Sequence, residues 1–96
     1  MLDLQHLKTF LMIATTKNFS SAARLLGYAQ PTVTHQIQLL ERELGVTLFE
    51  RVRFARTVAL TETGSRVYEF AARFLALENA LRAAAAQVKD KVPSSR

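Results

Sequence analysis

Apolar positions recur at helical spacing along most of the chain, and the places where the rhythm breaks mark off its elements. Leu4, Leu7, Phe10, Leu11 and Ala14 form one wide face, extended by Ile13, and this predicts a first helix with Asp3 as its N-cap. Lys17-Asn18 closes it, asparagine being tolerant of the left-handed terminating conformation. A short helix is expected from Ser20 to Leu26, with Ser20 as N-cap and small Ala22 and Ala23 packed beside Leu25 and Leu26. Gly27 ends it, and Gln30-Pro31 opens the next, since proline is tolerated where no intrahelical N–H is required. There Val33, Ile37, Leu40 and Leu44 follow at intervals of four, three and four, one narrow apolar stripe. Gly45 closes that helix, and Val46-Thr47-Leu48-Phe49 brings the chain back to the core.

The rhythm then changes. β-Branched Val52, Thr57 and Val58 flank a basic tip, which predicts two short strands near Glu50–Val52 and Val58–Leu60. No Gly or Asn between them demands a tight turn, so an open loop is expected. Thr61 caps the last helix, and Gly64 one turn later admits a neighbouring backbone. Val67, Phe70, Phe74, Leu77, Leu81, Ala84 and Val88 then recur at strict intervals of three and four, the a/d seam of a coiled coil. A helix of about 28 residues reaches roughly 40 Å. Its distal half outruns the small domain it leaves, so the seam asks for a second copy of the chain. Pro93 and Ser94-Ser95 end the pattern.

The third helix carries polar groups beside its stripe. Gln30, Thr32, Thr34, His35, Gln36 and Gln38 offer hydrogen bonds with no fixed negative charge, which suits a face laid against base edges in a major groove. With the short helix before it and the hairpin after it, the pattern is a winged helix-turn-helix. Glu41 and Glu43 read as solvated surface on the back of the same helix.

Composition narrows the possibilities. The 96 residues allow one small domain, 49% hydrophobic and 22% charged, within the range of folded chains. Thirteen Lys and Arg against eight Asp and Glu give a net charge of +5, which favours a polyanion. Arg51, Arg53 and Arg56 concentrate that charge in a stretch without acids. There is no cysteine, hence no disulfide framework and no thiolate site. His6 and His35 have no carboxylate at ligand spacing, so no metal site is expected. No apolar run is long enough to span a membrane, and no signal peptide is visible at the start. Nucleophile–base pairs, phosphate-binding glycine loops and paired carboxylates are all missing, so an enzyme is not expected.

Phe19-Ser20-Ser21-Ala22-Ala23, Gln30-Pro31, Ile37, Leu40-Glu41, Leu44-Gly45, Leu48-Phe49-Glu50-Arg51 and Leu60-Thr61-Glu62-x-Gly64 together resemble the DNA-binding domain of LysR-type transcriptional regulators of bacteria. The resemblance runs from about residue 4 to about residue 88. It departs at Ala29, where a serine commonly caps the recognition helix, and at His35, where arginine is frequent. The stretch between Arg51 and Leu60 is also slightly longer than usual.

The expected fold is therefore mainly α: a winged helix-turn-helix with a small β-hairpin wing and a long C-terminal dimerisation helix. Residues 1–60 would form the DNA-binding domain, 61–89 the linker and dimerisation helix, and 90–96 a tail or hinge. The resemblance implies sequence-specific binding of double-stranded DNA with a partly palindromic operator. It places Gln30, Pro31, Thr32, Thr34, His35 and Gln36 at bases or nearby phosphates, and Ser20 and Ser21 on the backbone. Arg51, Arg53 and Arg56 would reach phosphates or an adjacent minor groove. Val67, Phe70, Phe74, Leu77, Leu81, Ala84 and Val88 would form a homodimer seam. No cofactor is expected in these residues; a small-molecule effector would belong to a further C-terminal domain, and the setting would be the bacterial cytoplasm, on the nucleoid. A solvated arginine loop and a seam packed on another domain of the same chain are the plain alternatives. The functional alternatives are an architectural DNA binder and a winged helix used for protein contact.

Overall fold

The computed structural model describes residues 2–50 and 57–91, with side chains as far as Val88. Four helices and a minimal hairpin follow one another: α1 (Leu4–Thr16), α2 (Phe19–Leu26), α3 (Gln30–Leu44), β1 (Phe49–Glu50), β2 (Ala59–Leu60) and α4 (Glu62–Lys91). The strands pair antiparallel, Phe49 opposite Leu60 and Glu50 opposite Ala59. This is a winged helix-turn-helix with a long C-terminal helix.

Leu7, Phe10 and Ile13 of α1, Ala22 and Ala23 of α2, and Val33, Ile37 and Leu40 of α3 are buried together. Small Ala22 and Ala23 let α2 approach its neighbours closely. Leu48 and Phe49 close the core from below, and Ala71 admits α4 against it. Phe49 stacks on Phe10 at 5.4 Å between ring centroids and on Phe19 at 5.6 Å, so the entry to the hairpin is pinned by aromatic contacts. The stripes expected on the first three helices are the ones that meet here. Leu25 is the exception, turned to solvent while Leu26 packs at the core's edge.

A chain of hydrogen bonds fixes the junction of hairpin and α4. Thr61 caps α4, its hydroxyl accepting from the Gly64 N–H at 2.8 Å and donating to the Thr47 carbonyl at 2.6 Å. The Thr61 N–H donates to the Leu48 carbonyl at 3.0 Å. A Cβ on Gly64 would overlap that same carbonyl oxygen, which explains a glycine inside a helix.

Four local readings are corrected by the structure. The left-handed residue ending α1 is Lys17, at φ 59°, rather than Asn18. Asn18 is instead the N-cap of α2, its side chain accepting from the Ser21 N–H at 2.9 Å, which displaces Ser20 from that role. Glu41 is half-buried, and its carboxylate accepts from the Leu48 N–H at 2.7 Å, so it ties the returning chain to α3 and is not a surface residue. β1 starts one residue earlier than expected, at Phe49, and β2 one residue later, at Ala59. Val52 lies outside the described residues, and the Val58 N–H leaves the hairpin to donate to the Lys17 carbonyl at 2.9 Å.

Beyond Ala71, α4 leaves the core. Its 30 residues, about 45 Å of helix, make up most of the overall length of 59 Å in a molecule only 25 by 20 Å across. Among the described residues no helix is long and apolar enough to cross a membrane.

Candidate nucleic-acid interface

The turn between α2 and α3 is set by backbone chemistry. Gly27 takes φ 78°, and the Tyr28 N–H reaches back to the Ala23 carbonyl at 2.9 Å, closing α2 and redirecting the chain. α3 then starts with Pro31 in its first turn and Ala29 at the N-cap, where no side chain bonds the free N–H groups. The departure noted at Ala29 is thus a real structural one: the recognition helix begins without a side-chain cap.

With Val33, Ile37 and Leu40 fully buried, the opposite face of α3 is forced outward. Gln30, Pro31, Thr32, His35 and Gln38 are exposed, and Thr34 is half-exposed. No carboxylate stands in the first two turns of the helix. Gln38 and Arg42 continue the exposed row of His35 at intervals of three and four. The helical period already places Arg42 there, although its sequence neighbours Glu41 and Glu43 make it read as an ordinary solvated charge. Gln36 differs from the others. It is half-buried, and its Oε1 accepts from the hydroxyl of Thr9, a fully buried side chain on α1. Part of its hydrogen-bonding capacity therefore serves to lock α3 onto α1.

The N-terminus of α2 lies beside that of α3. The Ser20 hydroxyl donates to Oε1 of Gln30 at 2.7 Å, and the Ser21 N–H is held by Asn18. Ser20 and Ser21 are thus brought next to the exposed face. Arg51, Arg53 and Arg56 lie outside the described residues. The strands that flank them leave the core at Phe49 and return at Leu60. Among the described residues, no group of three or more His, Asp and Glu side chains is placed to hold a metal ion.

A second surface runs along α4. Phe70 is 65% exposed, Leu77 70% and Leu81 69%, with Phe74, Ala84 and Val88 also outward; only Val67 is half-buried against the core. Arg73 lies over the Phe70 ring, 5.6 Å from its centroid, and Arg82 pairs with Glu78 one turn away. At the base of α4 the strip runs into an apolar groove of about 190 Å³ between Leu2, Leu7, Leu44, Phe70 and Phe74. So continuous an apolar strip is larger than scattered surface hydrophobics account for.

Residues 4–65 match the family described as bacterial regulatory helix-turn-helix proteins, lysR family. The HTH-type transcriptional regulator BudR of Klebsiella aerogenes is 42% identical over 79 residues, which cover 82% of this chain and 54% of that protein. The HTH-type transcriptional activator IlvY of Salmonella typhimurium is 43% identical over 81 residues, 84% of this chain and 27% of that protein. The chain thus spans about half the length of the first relative and less of the second. Among solved structures, a BenM DBD/catB site 1 DNA complex superposes with a TM-score of 0.86 at 33% identity, covering 92% of each chain. CbnR, a LysR family transcriptional regulator, superposes with a TM-score of 0.80 at 36% identity, covering 86% of this chain and 28% of that one.

Proposed function

Since the chain belongs to the lysR family of bacterial regulatory helix-turn-helix proteins, we propose that it binds double-stranded DNA sequence-specifically and regulates transcription as a homodimer. The observation that carries this reading is the outward face of the first two turns of α3, free of carboxylates and held by a fully buried stripe on the helix's other side. Gln30, Pro31, Thr32, Thr34 and His35 read base edges or nearby phosphates in the major groove, with Gln36 at the margin. Ser20 and Ser21 hold the DNA backbone near the N-terminus of α2, where the helix dipole favours an anion. Arg51, Arg53 and Arg56, which fall between β1 and β2 in the sequence, contact phosphates or an adjacent minor groove. That similar chains of known structure include a complex with DNA supports this assignment.

The homodimer forms through Val67, Phe70, Phe74, Leu77, Leu81, Ala84 and Val88. A two-fold pair of reading helices calls for a partly palindromic operator, with half-sites a whole number of turns apart. The reading includes a further effector-binding domain that senses a small molecule, for which a relative matched over only 27% of its length leaves room, and a cytoplasmic place of action on the nucleoid. The matched relatives are regulators, and no catalytic role is inferred.

The test is to select bound sites from random DNA, then compare affinity for the selected operator and for random sequence at one salt concentration. A ratio of about 10³ or more supports specific reading. A ratio near one sinks it in favour of an architectural binder.

A further inference from the structure

Among the polar side chains at the start of α3, Gln30 has a partner that decides which way its amide points. Its Oε1 accepts from the Ser20 hydroxyl at 2.7 Å, a bond that joins the first turn of α2 to the first turn of α3. Ser20 is available for this because Asn18 caps α2. A glutamine amide offers an acceptor at its oxygen and two donors at its nitrogen. Left free, it turns over and presents either end. With the oxygen engaged by a donor from α2, one of its lone pairs is taken, while the nitrogen keeps both donors for another partner. Both residues are exposed, so the oriented amide lies on the surface that faces the proposed ligand.

We propose that Ser20 is a specificity-determining positioning residue: by holding the Gln30 oxygen, it presents the Gln30 Nε2 as a donor to an acceptor on a base edge. The acceptors in the major groove are O6 and N7 of guanine and O4 of thymine. A free glutamine suits adenine, because it uses the oxygen and the nitrogen together against N6 and N7. Committing one of the oxygen's two lone pairs to Ser20, and with it the direction of the amide, weakens that advantage and shifts the preference toward guanine or thymine. The proposal rests on the reading of α3 as the DNA-reading helix, and it gives Ser20 a role in sequence choice beyond holding the backbone.

The experiment uses the 96-residue chain and its selected operator. Gln30→Ala first locates the base pair that Gln30 reads, as the position whose preference it flattens. All four base pairs are then placed there and titrated with the parent, Ser20→Ala, Ser20→Thr and the double Ser20→Ala/Gln30→Ala variant. The parent favours guanine or thymine. Ser20→Ala loses roughly three- to tenfold of that preference, the worth of one oriented hydrogen bond, over and above the uniform loss on all sequences that its backbone contact accounts for. Ser20→Thr, which keeps the hydroxyl, retains the preference, and in the Gln30→Ala background the loss of Ser20 changes it no further. The proposal is overturned by an adenine preference in the parent, by a preference that Ser20→Ala leaves intact, or by an equal fall on every sequence. It is equally overturned if Gln30→Ala flattens no position. These outcomes leave the reading of α3 standing. A parent that selects no sequence at all overturns both together.

Discussion

Gly64 and His35 show how differently two residues expose their purpose. A glycine inside a helix costs about 1 kcal/mol relative to alanine, so its presence asks for a reason. The reason is the Leu48 carbonyl, which approaches where a Cβ would stand and which also accepts from the Thr61 N–H. Gly64→Ala should therefore reverse the usual gain in helix stability and cost about 1–3 kcal/mol, the typical penalty of overpacking, as read from the urea midpoint of unfolding. An unchanged or raised midpoint would mean that the junction shifts without cost. The close approach at Gly64 was legible in the sequence because glycine has few other uses there. Glu41 was not: its partner, the Leu48 N–H, lies seven residues on, across the return of the chain. A carboxylate next to Arg42 looks solvated until that return is seen. His35 is exposed on α3 opposite the buried stripe, and the reading role proposed for it has a separable signature. His35→Ala should lower affinity for the preferred operator by about 1–3 kcal/mol and leave random DNA nearly unchanged. Equal losses on both would reassign His35 to phosphate or to plain surface.

Between residue and domain, the ends of the helices hold the least legible information. The stripes of α1 and α3 were readable from spacing, because burial imposes the helical period directly on the sequence, whereas Ala71 and Tyr68, which face the core from α4, fall outside the seam read there. Caps obey no period. In Lys17-Asn18-Phe19-Ser20-Ser21 several residues are acceptable caps, and local preference favours Ser20 and Asn18 about equally. What decides is tertiary. The Lys17 carbonyl receives the Val58 N–H from beside the hairpin, and Phe19 packs edge-on against Phe49. These contacts start α2 one residue earlier than expected and leave Asn18 as the cap. The consequence is measurable. Asn18→Ala should cost about 0.5–2 kcal/mol of stability, whereas Ser20→Ala should stay within about 0.5 kcal/mol, both by thermal melts of the same chain. If Ser20→Ala proves the costlier of the two, the assignment of the cap is wrong. The same economy explains why Ser20 has a hydroxyl to spare for Gln30.

At the scale of the whole molecule, most of the long axis of 59 Å is a helix whose distal part its own domain does not cover. Phe70, Phe74, Leu77 and Leu81 expose apolar surface that a helix of this length would otherwise leave in water. Arg73 and Glu78 border the strip, as charged residues border the seam of a coiled coil. In the proposed homodimer a second α4 laid along the strip would bury it, and with it align two copies of α3. Leu81→Asp tests this cleanly, because Leu81 is 69% exposed in the single chain and the substitution leaves the core untouched. Only pairing buries the new carboxylates, and an uncompensated buried charge costs several kcal/mol. In sedimentation at micromolar concentration the parent should run as a dimer and the variant as a monomer with unchanged helical content. Joined half-sites supply a further readout. Linking two modules raises apparent affinity by about 10²–10⁴ without any new contact. Leu81→Asp should therefore weaken binding to the full operator by a factor in that range, while binding to an isolated half-site stays close to that of the parent. If the variant still sediments as the parent does, α4 is not the seam. If it is monomeric but binds the full operator undiminished, the two reading helices act independently and the palindrome has no mechanical basis in this chain.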